Sequence, residues 1–345
     1  MEIKAFLREV TAKRGLSGDE RPVAQWVTER FKEHCDEVKI DAMNSVVGRI
    51  KGESPRLAFV AHLDEVGLMV VKIEEDGCLR LGQVGGIDPR ILPGMRLTVY
   101  GKETLPGIVG AKAPHLLSTD EKNKALKLED IYVDLALPVE KVRELVRVGD
   151  QVQLEHRFTK LKNDRVSSKT LDDRCCVAIL YRAMELLQGL KHQADLYFIA
   201  SSQEEVSSLG AMTSAFNTEP DMAMILDVGF AHQPGCDREH TLGIDKPLVT
   251  VGPYLNPVLT KKLEEVAKRI KVELQKEVSP RGTGTDTDAV AASRAGVPCV
   301  LIGIPVKNMH TAVEVLDLNT LEEAARLVAH FAAACEDSWE EELWN

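Results

Sequence analysis

The sequence predicts an α/β fold, with a mixed, largely parallel sheet flanked by helices and an inserted β-rich, barrel-like unit. Three observations carry this. Apolar strand runs alternate with helical periodicity at both ends of the chain, as in RLAFVAHLD (56–64), ADLYFIASSQEE (194–205) and MAMILDVG (222–229). Between residues 67 and 162 the texture changes to short strands broken by glycine and proline. The runs before and after this stretch read alike, so one α/β unit (1–66 and 163–345) is interrupted by a second unit (67–162). Alternating strands and helices build a parallel sheet covered on both faces. Short strands at close turn spacing build a barrel or sandwich.

Taken in order, residues 3–13 and 21–35 read as amphipathic helices split by GLSGDE. VKID and SVVGRIKG form a strand pair around Asn44. The run 56–64 is a buried strand that ends in polar residues. Inside the β-rich stretch, PVEKVRELV is a lone helix. LDDRCCVAILYRAMELLQGL then predicts a helix of about 18 residues. LGAMTSAF is helical, a helix lies near 257–270, SPRGTGTDTDA is a loop, PCVLIGIP is a strand, and a last helix spans 320–335.

The chain has 345 residues, 44% hydrophobic and 28% charged, with a formal net charge of -11. That length suits about two domains, and the apolar content rules out a disordered chain. An acidic surface repels phosphate backbones, so nucleic acid is not an expected partner. Seven cysteines, an odd number without a C-x-x-C pair, point to reduced thiols. The N-terminus has no apolar signal-peptide core, and no run reaches the ~18 apolar residues of a membrane span. A cytoplasmic protein with no membrane partner is expected.

Five places could carry chemistry. His62 and Asp64 close a buried strand as H-L-D, which sets both side chains on one face. They suit a metal ligand with its carboxylate partner, two ligands, or a satisfied core histidine. Asp172 and Asp173 open the long helix, where acids cap and match the dipole. Two adjacent acids leave one free for a metal. Glu204 and Glu205 follow a strand, where like charges raise each other's pKa unless a cation intervenes. Asp227 lies at the C-terminal edge of its strand, where open α/β sheets bind ligands. His310 follows the strand PCVLIGIP. Two histidines and three carboxylates form a nitrogen and oxygen donor set suited to zinc, cobalt or manganese. His115 and His232 sit in loops and stay open as further candidates. There is no GxGxxG or Walker run, and no nucleophile elbow.

Six motifs, AHLDEVG (61–67), KTLDDRCC (169–176), SSQEEV (201–206), ILDVG (225–229), GTDTDA (284–289) and MHTAVEV (309–315), stand in this order along the chain. In content and order they resemble the tetrahedral, or TET, aminopeptidases of metallopeptidase family forty-two, which includes glutamyl and deblocking aminopeptidases. The resemblance runs over nearly the whole chain and implies a zinc-peptidase-like fold whose insert is a dimerisation domain. It implies two divalent ions per subunit, zinc, cobalt or manganese. His62, Asp172 and Asp227 would hold one, and Asp172, Glu205 and His310 the other, with Asp172 bridging. Glu204 would be the general base, and Asp64 would orient His62. It further implies peptide substrates with a free N-terminus and homo-oligomers from dimer to dodecamer.

The chain departs from the family pattern at Ser207, usually glycine, at Asn308, usually aromatic, and in VDLALP (133–138). None is a proposed ligand, so these departures bear on pocket shape. The competing readings are a glycoside hydrolase of the endoglucanase kind and a non-catalytic metal-binding relative. A glycosidase needs two carboxylates ~5–9.5 Å apart across a sugar ring, whereas Glu204 and Glu205 are adjacent in sequence.

Overall fold

Four parallel strands, Ala194–Ser201, Glu53–His62, Met222–Phe230 and Cys299–Val306, form the centre of an eight-stranded sheet in the computed structural model, which describes residues 1–343. They are near-continuous runs of buried apolar residues, as strands covered on both faces must be. The expected strand pair, Glu37–Ile40 and Val46–Ile50, adds antiparallel to one edge. Two short strands absent from the sequence reading, Leu248–Val251 and Gln275–Val278, complete the other. Each has four residues, too few for periodicity to register.

Helices cover both faces. On one side Ile3–Val10, Arg21–Phe31, Leu171–Leu187, Pro257–Ile270 and Leu318–Ala334 bury one large apolar cluster that includes Phe6, Phe59, Phe198 and Phe331. On the other, Leu209–Thr218 and Thr287–Ala291 pack through Ala211, Ala215 and Val290. The last of these helices begins inside the stretch expected to be loop.

The β-rich stretch forms a closed barrel of Gly67–Ile73, Leu79–Val84, Ile131–Asp134, Thr104–Ala111, Arg96–Tyr100 and Gln151–Leu154, all antiparallel. It has its own apolar interior, with Leu68, Val99, Val133 and Val152 fully buried. Closure removes the free edges that such short strands would expose. The helix Val139–Leu145 packs on it. A small three-stranded sheet, Thr159–Lys160, Arg165–Ser168 and Glu314–Asp317, links the returning chain to the segment after Cys299–Val306. All seven cysteines are free. Among the described residues no helix is long and apolar enough to cross a membrane.

Candidate metal centre

Because the four central strands run the same way, their C-terminal ends open on one edge of the sheet. His62 is the last residue of its strand, Asp227 lies near the end of the next, and the other two strands lead into Glu204 and His310. The five expected ligands meet here. One oxygen of Asp172 lies 3.1 Å from His62 Nε2 and the other 3.3 Å from His310 Nε2. Glu205 is 3.3 Å from His310 Nε2, and Asp227 is 4.0 Å from His62 Nε2. Glu204 approaches His62 Nε2 at 3.9 Å.

Two local readings need correction. Asp172 and Asp173 do not cap the long helix. Both have non-helical backbone angles, Thr170 is the N-cap residue, and Asp173 instead accepts the main-chain N–H of His62 at 3.2 Å. Glu204 and Glu205 are not on a strand end but begin a short helical turn, Glu204–Ser207, after a left-handed Gln203. Their side chains diverge because successive helical residues point about 100° apart. Asp64 stands 3.4 Å from His62 Nδ1, and it also holds that turn, accepting the N–H groups of Glu204 (3.0 Å) and Glu205 (3.3 Å) and the Ser17 hydroxyl (2.6 Å). His232 pairs with Thr241, and neither it nor His115 joins a metal-binding group of side chains among the described residues.

Several supporting residues were not singled out in the sequence. Glu314 accepts the N–H groups of Leu171 and Asp172 with one oxygen and that of His310 (2.8 Å) with the other, so a single buried carboxylate ties the Asp172 and His310 segments together. His310 Nδ1 donates to the Gly86 carbonyl at 2.8 Å, which turns Nε2 towards Asp172 and Glu205. The barrel stretch therefore orients His310. A Cβ at Gly86 would come within 3.0 Å of that ring nitrogen, so glycine permits the approach. Asp286, buried beside the site, accepts from Ser201. Glu65 receives Lys169, Arg174, Thr170 and Gln153 in a buried network on either side of Asp172. The signal was present: Glu65, Lys169, Arg174, Asp286 and Glu314 all lie within the six motifs, beside the residues taken as ligands.

The electrostatics ask for cations. Burial pushes the Glu204 carboxyl up to about 10, with His62 opposing and Asp227, Asp286 and Glu205 adding. Burial likewise raises Glu205 and Asp227. Burial acts to lower His310, yet hydrogen bonds to Asp172 and Glu205 override it and push the imidazole up to about 11. His62 is raised in the same way, by Asp172 and Asp64 against burial. Carboxylates driven neutral and imidazoles driven to hold protons mark a cluster short of positive charge. Among the described residues no Lys or Arg lines the adjoining cavity of about 270 Å³. His62, Asp172 and Glu205 offer donor atoms within 4.8 Å of one another, as do His62, Asp173 and Asp227. The donor set thus fits divalent metal.

The comparisons agree. The sequence profile of the M42 glutamyl aminopeptidases matches residues 44–327. The lysyl aminopeptidase of Pyrococcus furiosus is 35% identical over 330 residues, 93% of this chain and 94% of its own length. The TET aminopeptidase of a marine-sediment Thaumarchaeota archaeon superposes with a TM-score of 0.94 at 31% identity, over 99% of each chain. The Pyrococcus horikoshii TET1 peptidase, described as able to assemble into a tetrahedron or a large octahedral shell, gives 0.84 at 29% identity, over 96% of this chain and 99% of its own. With a histidine and carboxylate cluster at the strand ends and this kinship over nearly its whole length, the chain belongs to the M42 glutamyl aminopeptidase family and is a metallo-aminopeptidase, a peptide hydrolase.

Proposed function

We propose that the protein removes single residues from the free N-terminus of peptides, using two divalent ions, zinc or cobalt by preference and manganese as a substitute. The observation that carries the dinuclear reading is Asp172, whose two oxygens face two different histidines. His62, Asp172 and Asp227 would hold one ion and Asp172, Glu205 and His310 the other, supplying Lewis-acid charge to polarise the scissile carbonyl and acidify the attacking water. Glu204, within reach of the same cluster, takes the proton from that water and passes it to the leaving amine. Asp64 holds the Glu204 turn and orients His62, while Glu314 keeps the Asp172 and His310 segments in register. The carboxylate-rich cavity suits a substrate that arrives with a free α-ammonium group.

Dialysis against a chelator should lower turnover of leucyl 4-nitroanilide by at least about 100-fold, and zinc or cobalt should restore it. The N-acetylated peptide should resist cleavage. Full turnover in chelator would overturn the metal-assisted mechanism. Cutting of blocked peptides would instead indicate an endopeptidase.

The unit at 67–162 is proposed as the dimerisation domain, and dimers as the route to larger shells. Support comes from its own apolar interior and from the shells described for the TET1 peptidase. Light scattering at micromolar concentration should give a mass of at least two chains, and a monomer would contradict it. The free thiols suit a reducing compartment, the cytoplasm.

A further inference from the structure

The cavity beside the metal cluster continues across the sheet to a carboxylate with no part in the chemistry described above. Glu277, on the edge strand Gln275–Val278, lines the same cavity as Asp227. Strand register explains how. Asp227 pairs with Gly303 and Gly303 with Leu248, while Leu301 pairs with Thr250 and Thr250 with Glu277. Paired residues, and residues two apart on a strand, project to one face. Asp227 and Glu277 therefore face the same side, with Leu301 and Thr250 between them.

Glu277 is half-buried, and its carboxylate accepts the Thr250 hydroxyl at 2.9 Å. Among the described residues no Lys or Arg forms an ion pair with it, and none lines the cavity. Divalent ions at the cluster would meet the charge of Asp172, Glu205 and Asp227. Glu277 stands outside that group, three strands away. Each step across a sheet is about 4.8 Å and the register offsets Glu277 by two residues, about 7 Å, so its backbone lies about 16 Å from that of Asp227. That is too far to contact an α-amine, which lies only two bonds from the scissile carbonyl carbon. It suits the end of a long side chain, since a lysine ammonium stands about 6 Å from its Cα. The Leu301 side chain in between offers apolar contact to the methylene stem, and Glu277 offers charge to the tip.

We infer that Glu277 selects substrates whose N-terminal residue is basic, lysine or arginine. The inference rests on the aminopeptidase reading and names the substrate class of that site. Its test compares kcat/KM for lysyl, arginyl, leucyl and glutamyl 4-nitroanilides on the full-length, metal-loaded protein. The native protein should favour lysyl and arginyl over leucyl by at least about tenfold, the scale at which a polar site rejects a substrate that leaves it unpaired. Glu277→Gln should lower the lysyl-to-leucyl ratio about tenfold or more, and Glu277→Lys should reverse the preference between lysyl and glutamyl. Because each readout is a ratio, it does not depend on how much of a variant folds. A cross-strand pairing role with Thr250 alone would leave the ratio unmoved and overturn the inference. So would a native preference for leucyl or glutamyl, with the aminopeptidase reading intact. Failure to cleave any of the four would overturn both.

Discussion

Glu204→Gln is expected to keep the metal content of the protein and to lower kcat by about 100-fold or more, the scale for losing a general base. The substitution keeps side-chain volume and removes only the basic carboxylate. Its neighbour should behave differently. Glu205 lies 3.3 Å from His310 and shares that nitrogen with Asp172, so Glu205→Gln should weaken one of two metal sites. Activity of this variant should return in part at high metal concentration, whereas Glu204→Gln should not respond. Elemental analysis beside metal titration of turnover separates the two. If Glu204→Gln sheds metal while Glu205→Gln keeps both ions, the roles are exchanged. If neither change affects turnover, the reaction does not use this cluster.

Glu65→Gln should destabilise the protein by about 3–5 kcal/mol, the cost of stranding buried charge when one partner is removed. The Glu65 carboxylate faces Lys169, Arg174, Thr170 and Gln153, and Glu65, Lys169 and Arg174 are all buried. The two sides of the network are unequally satisfied. Burial acts to raise Glu65, but Lys169 and Arg174 hold it below the ordinary carboxylate range. Burial lowers Lys169 even beside Glu65, and Arg174 adds to that. The carboxylate is the better-satisfied member because four donors converge on it. Its removal leaves two cations facing each other. The denaturant midpoint should fall with little change in slope. Adding Lys169→Met should recover part of the loss, because it removes one of the stranded charges. A single variant as stable as the native protein would show that the network contributes only geometry.

Legibility in the sequence follows the range of the interactions involved. The central strands could be read because each is a run of apolar residues long enough to be buried on both faces, as in Cys299–Val306. The position of Asp227 followed, because a charge late in such a run must emerge where a parallel sheet opens. The four-residue strands Leu248–Val251 and Gln275–Val278 could not be read, and with them the placement of Glu277 was lost. The turn bearing Glu204 and Glu205 was taken for a strand end because Asp64, which holds it, lies 140 residues earlier.

The sequence by itself determined the α/β character with its β-rich insert, the donor types, and the convergence of His62, Asp172, Glu205, Asp227 and His310 on one edge of the sheet. Local pattern and motif order suffice for that. Only the tertiary structure decided that the two oxygens of Asp172 face different histidines, that Glu314 ties Asp172 to His310, and that Gly86 in the barrel stretch orients His310 from 224 residues away. Those contacts form only when distant segments pack, since neither the strand period nor the helix period brings residues so far apart in sequence together.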